Sequence, residues 1–462
     1  MTAPAASNRT DGIPSDGDVA EHLARLIRIA TITPPDSGPL SPQVAASFAD
    51  LHAALRELYP RVFAAAASVR IAGRAGLLLH LPGESSEAPL VLMAHQDVVP
   101  TPEDWQAEGW QHPPFDGVIR DGWVFGRGAL DDKGELVVIL EAVESLLGQG
   151  WQPEHDLYLS FGADEESYGS AAVEAAAMLQ ADGVRPWMVL DEGGAVATGA
   201  FPGLAGEMAV VGTSEKGVLT LTLTAESGGG HASTPPRHTA SGLLAEALVT
   251  LERHPHPAAV NDVSVEMFET VAPHLRGPLR FVLSRAGRAR RLLARVLPLA
   301  GVEMNAMVRT TSAITRLQGS PGDNVLANRA LAVVNLRVAV GSTCEEVVAR
   351  VRRIVGKRIE VRVKESSEPS PVSPSGADPR WRAIVAAIGE SYPEAVAVPY
   401  VMLAASDARH MTGLTDAVYR FAPLRMSASQ RHSVHGNDER VEVESLGRGV
   451  RFYRALLTAP RP

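Results

Sequence analysis

Cysteine is almost missing from this chain, since Cys344 is the single one among 462 residues. That excludes an intrachain disulfide framework, fits a reducing compartment and leaves His, Asp and Glu as the available metal ligands. Positive charge is in deficit, with a formal net charge of −10, which argues against nucleic acid as a partner. Long apolar runs are absent too. No stretch approaches the roughly 18 consecutive apolar residues of a membrane span. Residues 1–18, rich in Ala, Pro, Ser and Asp, lack the apolar core of a secretory signal; they read as a disordered tail, and the expected location is cytoplasmic. A serine nucleophile elbow is missing, and Cys344 stands far from every motif described below, so no covalent nucleophile is on offer.

What is present is ordinary core material, 45% hydrophobic, in a length that suggests two domains, one inserted into the other. Helical patterns over 19–30 and 44–58 alternate with apolar strands, the first at 76–81. That order points to an α/β sandwich. The run Leu90-Val-Leu-Met-Ala94 is what a parallel strand buried on both faces requires, and it ends in His95-Gln-Asp97. Residues two apart share a face of a strand. His95 and Asp97 therefore point together at the carboxyl end, where open α/β sheets place their ligands. A neutral imidazole is a good zinc ligand, and a nearby carboxylate fixes its tautomer.

Alone, such a triplet is as readily a surface turn after a core strand, but the pattern recurs. Leu157-Tyr-Leu-Ser-Phe161 runs into Asp164-Glu-Glu166, and Met188-Val-Leu190 runs into Asp191-Glu192. Between Asp97 and Leu157, the glycine-bearing turn Gly126-Arg-Gly-Ala-Leu-Asp-Asp-Lys-Gly134 opens a helix over 135–147. There Asp131 and Asp132 are either helix caps or carboxylates that bridge cations. Two adjacent glutamates project differently, so one can hold a metal while the other faces a substrate water. After a further strand at 417–423, His435-Gly-Asn-Asp-Glu439 supplies a second imidazole.

In this order the motifs resemble those of the di-zinc metallopeptidase family of aminoacylase-1, carboxypeptidase S and succinyl-diaminopimelate desuccinylase. The resemblance runs over nearly the whole chain after the tail. The segment at 305–315 is most similar to the carboxypeptidase S branch, whose relatives include N-fatty-acyl-amino-acid hydrolases. The resemblance implies two zinc ions per chain, with cobalt or manganese as substitutes, His95 and Glu166 on different ions, Asp131 bridging them and His435 opposite. Asp191 is the remaining ligand by this resemblance, although some branches use the acid aligned with Glu192, and the sequence does not choose. Asp97 would orient His95, Glu165 would be the general base, and the peptide after the bridging Asp is often cis. The implied reaction is hydrolysis of the amide bond of a small peptide or N-acyl amino acid by water; a non-catalytic metal-binding protein on the same fold would need a lost ligand or base, and none is visibly lost.

The implied fold is a catalytic three-layer α/β/α domain, 19–210 and 364–462, with a mixed, mainly parallel sheet. It is interrupted by an α+β dimerisation domain, 211–363, with an antiparallel sheet, and the residues read the same way. Stretches 217–225 and 332–338 alternate as half-exposed strands do, and 243–251 and 345–354 are helical. In the family this domain makes a homodimer, and the histidine matching His231 reaches the neighbouring subunit's site. Asn324 and Arg337 match positions that hold the substrate's carboxylate end, and Arg409 matches another substrate-side position, although Ala404 and Ala405 replace the glycines usual before it. The motifs leave one stretch unexplained. Residues 273–300 carry Arg276, Arg280, Arg285, Arg288, Arg290, Arg291 and Arg295 with no acid, interleaved with Leu, Phe and Val. It reads as a basic amphipathic helical insert packed on its own domain, or as a lid or interfacial surface for apolar acyl chains, with weak membrane or lipid contact.

Overall fold

The computed structural model describes residues 12–34, 38–167, 169–201, 203–204 and 206–461. Most of the expected tail, residues 1–11, lies outside them. The first helix, Asp16–Ile27, begins ahead of Val19 because Ser15 caps it. The Ser15 hydroxyl accepts the Asp18 amide at 3.2 Å and the Asp18 carboxylate accepts the Ser15 amide at 3.3 Å, a reciprocal capping box. Residues 16–18 thus belong to the helix and not to a tail.

The chain divides into two compact units. One comprises the chain up to Thr213 with Val372–Pro399 and Ser406–Pro462; the other comprises Ser214–Pro371 with Tyr400–Ala405. These limits differ from the expected 210/211 and 363/364. The strand Glu360–Ser367 belongs whole to the second unit's sheet, but its residues 362–366 are exposed, so no apolar alternation marks its end in the sequence.

The first unit's mixed ten-stranded sheet has four neighbouring parallel strands at its centre: His155–Gly162, Ser85–His95, Met188–Asp191 and Val418–Arg420. Alternate residues divide between two helical layers. Leu90, Leu92, Leu157, Leu159 and Leu190 share one apolar cluster with the helices Asp16–Ile27, Lys133–Gly148, Pro379–Ser391 and Val443–Leu457. Val91, Met93, Tyr158, Val189 and Val418 instead pack with the helix Ser170–Ala181 and the turn Asp407–Met411. Each fully buried side chain of this kind contributes about 1.5–3 kcal/mol. Burial on both faces is why these strands read as uninterrupted apolar runs. Because the four strands are parallel, their carboxyl ends, and the acids and histidine that follow, meet at one edge.

The second unit is α+β. Its four-stranded antiparallel sheet runs Thr311–Gln318, Arg329–Val338, Gly217–Glu226, Glu360–Ser367. Leu219, Leu221, Leu223, Val334 and Leu336 face the helices Ala240–Arg253 and Cys344–Val355. On the other face Thr220 accepts a hydrogen bond from the Asn335 amide at 3.3 Å. Cys344 is buried at the start of its helix, and burial raises its thiol to about 11, the behaviour of an inert structural cysteine. The basic stretch forms two helices, Gly277–Leu283 and Ala286–Val296.

Candidate metal centre

His95 is the last residue of its strand, and the chain beyond it is fastened from several sides. The Gln96 side-chain amide donates to the Phe161 and Gly162 carbonyls at 2.9 and 3.2 Å, tying this strand end to the next. The Thr31 hydroxyl donates to the Gln96 carbonyl at 2.5 Å. Asp97 acts twice. Its carbonyl accepts His95 Nδ1–H at 2.9 Å, and its carboxylate accepts the amides of Glu165 and Glu166 at 3.2 and 3.1 Å. The tautomer is thereby fixed with Nε2 directed into the site. The Asp97 carboxylate itself stands 3.5 Å from Nδ1, so the backbone carbonyl is the closer orienting group and the side chain positions the two glutamates.

Asp131 lies between two imidazoles. Its Oδ1 is 2.9 Å from His95 Nε2 and its Oδ2 is 3.0 Å from His435 Nε2. His435 Nε2 is also 3.0 Å from Glu166 Oε1. Donor atoms of His95, Asp131 and Glu166 all lie within 4.8 Å of one another. Burial alone would push the Asp131 carboxyl up; hydrogen bonds from His435 and His95 reverse this and hold it below the usual carboxylate range. His435 is raised to about 10 by its bonds to Asp131 and then Glu166.

The Asp131–Asp132 peptide is cis. Asp132 occupies the N-cap position of the helix Lys133–Gly148, yet its side chain makes no capping bond. Its Oδ2 accepts the His95 amide at 3.1 Å, which removes the simple cap as an explanation for this acid pair. Lys133 is fully buried, and its Nζ donates to the Leu26 and Ile29 carbonyls at 3.0 and 2.6 Å, gripping the end of the first helix.

Asp191 ends its strand and accepts the Ala408 amide at 2.7 Å; burial raises its pKa to about 6. Glu192 is pushed well above the usual range by burial and then by the charges of Asp131 and Glu165. Glu165 is raised likewise, by burial and by Asp407, Glu166 and Asp131 against the lowering pull of His95. Asp407 is buried, and burial with the Asp191 charge lifts it to about 8. Arg409 donates from Nε to His410 Nε2 at 3.1 Å, and its guanidinium borders Gly169, beyond the Glu165 turn.

The remaining expected site residues belong to the second unit. His231 and Asn324 come together there. The ribbon pairs Gly230–His231 with Val325–Leu326, and the Ala232 amide donates to the Asn324 carbonyl at 3.0 Å. Arg337 stands on the sheet opposite Val218 and Thr311.

The donor set fits divalent cations. Imidazole Nε2 atoms and carboxylate oxygens are zinc ligands, and cobalt or manganese accept the same types. Gathered at one edge without counter-charge, the carboxylates of Asp131, Glu165, Glu166, Asp191 and Glu192 would repel one another, and bound cations would supply that counter-charge.

Sequence reasoning passed over the clasp that holds this arrangement. Glu439 is fully buried; it accepts Arg127 Nη1 at 2.5 Å and the amides of Gly128, Leu130 and Asp131 at 3.1, 2.8 and 3.1 Å. Arg127 Nη2 donates in turn to the Gly436 carbonyl at 2.8 Å. His435, at φ 58°, is thus tied to the Asp131 loop by its own neighbours. Both residues stand inside recognised motifs, but nothing in their spacing distinguishes a buried pair from loop charges. Glu439→Gln keeps the shape and strands the Arg127 charge. We expect stability to fall by about 3–5 kcal/mol and metal affinity by about 10–100-fold, read by denaturant unfolding and by metal titration.

Residues 91–459 match the model of peptidase family M20/M25/M40. Over 408 residues, 87% of this chain and 79% of the other, the sequence is 35% identical to an N-fatty-acyl-amino acid synthase/hydrolase, PM20D1, of Xenopus tropicalis. Over 449 residues, 96% of this chain and 85% of the other, it is 32% identical to a probable carboxypeptidase S-like protein of Dictyostelium discoideum. The fold is shared with an M20 family metallo-carboxypeptidase of Sulfolobus solfataricus at a TM-score of 0.71, with 14% identity and coverage of 95% and 98% of the two chains. The chain belongs to peptidase family M20/M25/M40 and is a metallopeptidase or amidohydrolase.

Proposed function

We propose that this protein hydrolyses the amide bond of N-acyl amino acids or small peptides whose leaving amino acid has a free carboxylate, using two divalent cations, zinc by preference. The observation that carries this reading is the Asp131 carboxylate, with one imidazole Nε2 at each oxygen, 2.9 and 3.0 Å away. A carboxylate so flanked suits a bridge between two ions, with His95 serving one and His435 the other. Glu166 joins them. For the remaining ligand Asp191 and Glu192 are both candidates: the Ala408 amide occupies one oxygen of Asp191 and leaves the other, and Glu192 shares its field with Asp131 and Glu165.

When bound, the two cations supply a lowered water pKa and a polarised scissile carbonyl. The chain's own residues do the rest. Glu165, positioned by the bond from its amide to Asp97, takes the proton of the attacking water and passes it to the departing amine. His231 Nδ1 accepts the Ser233 amide at 3.1 Å, which leaves the ring proton on Nε2, where an exposed donor can reach a partner chain. In a homodimer that Nε2–H would stabilise the oxyanion formed on the substrate in the neighbouring subunit. By the family resemblance Asn324 and Arg337 are the candidates for holding the substrate's carboxylate end, and Arg409 is a candidate for another substrate-side contact.

Likeness to the N-fatty-acyl-amino acid synthase/hydrolase favours acyl amino acids, and likeness to the carboxypeptidase S-like protein favours peptides. A panel of dipeptides, acetyl-amino acids and long-chain acyl-amino acids, run with zinc, cobalt and manganese in turn, separates them. We expect the highest kcat/KM on an acyl-amino acid, and a preference for dipeptides across all metals would reverse the assignment.

Glu165→Gln should lower kcat by about 10²–10⁴ while the protein still binds two ions per chain by metal analysis. A variant that loses an ion and keeps its rate on the metallated fraction would exchange the roles of Glu165 and Glu166.

Co-expression of His231→Ala with Glu165→Gln should restore activity that neither homodimer has. With random pairing, recovery approaches about a quarter of wild type, because one site in each mixed dimer is intact. Purified mixed dimers without activity would place His231 outside the partner's reaction.

A further inference from the structure

We propose that the arginine-rich helices of the second unit form a docking face for an anionic lipid bilayer. The proposal stands apart from the amide-hydrolysis reading, and neither depends on the other.

The stretch 273–300 is packed on one side only. Leu283, Ala286, Leu293 and Leu297 are buried, and the helix Ala286–Val296 is anchored to the helix Asp262–Val271. There the Gly287 amide donates to Glu269 at 3.1 Å, and Arg290 pairs with Asp262. This much agrees with an amphipathic helix lying on its own domain. The outward side, however, is not polar. Leu279, Phe281, Leu292, Val296, Leu299 and Val302 are exposed, the last two at 86% each. Leu292 and Val296 stand one turn apart on the helix, and Leu299 continues their line in the following turn. Large exposed apolar side chains on a soluble surface are normally scattered singly, whereas a cluster marks an interaction site.

Cations rim this cluster. Arg288 lies one turn before Leu292 on the same line, and exposed Arg291 and Arg295 directly precede Leu292 and Val296. The Arg285 guanidinium sits 4.1 Å from the centroid of the Phe281 ring. No acidic residue occurs from Pro273 to Gly301, in a chain whose net charge is −10. An acidic protein surface would satisfy the guanidiniums and leave a line of leucines without a groove. A bilayer interface takes both groups, accepting the apolar side chains below the headgroups while the arginines meet the phosphates.

The test is flotation of the full chain with vesicles of phosphatidylcholine and phosphatidylglycerol in equal parts, against vesicles of phosphatidylcholine alone. The wild type should float with the anionic vesicles, stay behind with the neutral ones and be released by high salt. The triple variant Arg288→Gln, Arg291→Gln, Arg295→Gln should lower anionic partitioning on the order of a hundredfold, from about fivefold per arginine. Phe281→Ser with Leu292→Ser and Leu299→Ser should abolish it even at low salt. All six side chains are exposed, so thermal unfolding should match wild type in both variants. Failure of the wild type to float, or equal flotation of the variants, overturns the proposal. So does self-association of the wild type that both variants lose without any flotation, which would make this face an interface between copies of the chain.

Discussion

The organising constraint of this molecule is the crowding of acidic side chains at the carboxyl edge of four parallel strands. Asp131, Glu165, Glu166, Asp191 and Glu192 converge there, and Asp132 and Glu135 lie beneath them, both pushed well above the usual carboxylate range chiefly by burial. The Tyr453 hydroxyl donates to one oxygen of Glu135, while the other has no partner among the described residues. Low dielectric magnifies every repulsion in such a layer. The imidazoles of His95 and His435 counter Asp131, and the buried Arg420 counters Asp191. Bound cations would relieve the repulsion within such a site.

The loops around that edge answer the same demand by removing freedom. Asp97 holds the amides of both glutamates, Asp132 holds the amide of His95, and Glu439 with Arg127 joins the two loops that carry Asp131 and His435. Each of these acids accepts backbone donors, so an ordered donor set is in place before any ion arrives. That is the structural meaning of preorganisation in a metal centre.

Much of this was legible in the sequence, for a physical reason. Strands buried on both faces are continuous apolar runs, and a run that stops at His95, at Glu165 and at Asp191 marks a common edge once the strands are parallel. Motif order then placed His435 with them. What stayed hidden were groups whose role depends on contacts made far along the chain. Glu439 reads as one more charge in a polar loop until its four donors are seen, and Asp97 reads as an orienting side chain, although its carbonyl lies closer to His95. The start of the first helix was missed because its capping box lies within a polar stretch. The expected domain limit at 363/364 falls inside the strand Glu360–Ser367 because its exposed residues carry no alternation.

The strand Val418–Arg420 pairs with Met188–Asp191 across the entire inserted unit. Its neighbours in the sheet are thus separated from it by a whole folding unit, which must collapse locally while the gap in the parent sheet stays open. Closing so long a loop before its contacts are gained makes for slow, high-contact-order folding. During that interval the apolar edges of Met188–Asp191 and Glu207–Glu215 have no strand between them, and the nascent or refolding chain is most exposed to aggregation then. His435 lies on the segment that follows this strand, so the candidate metal site also draws on both sides of the inserted unit.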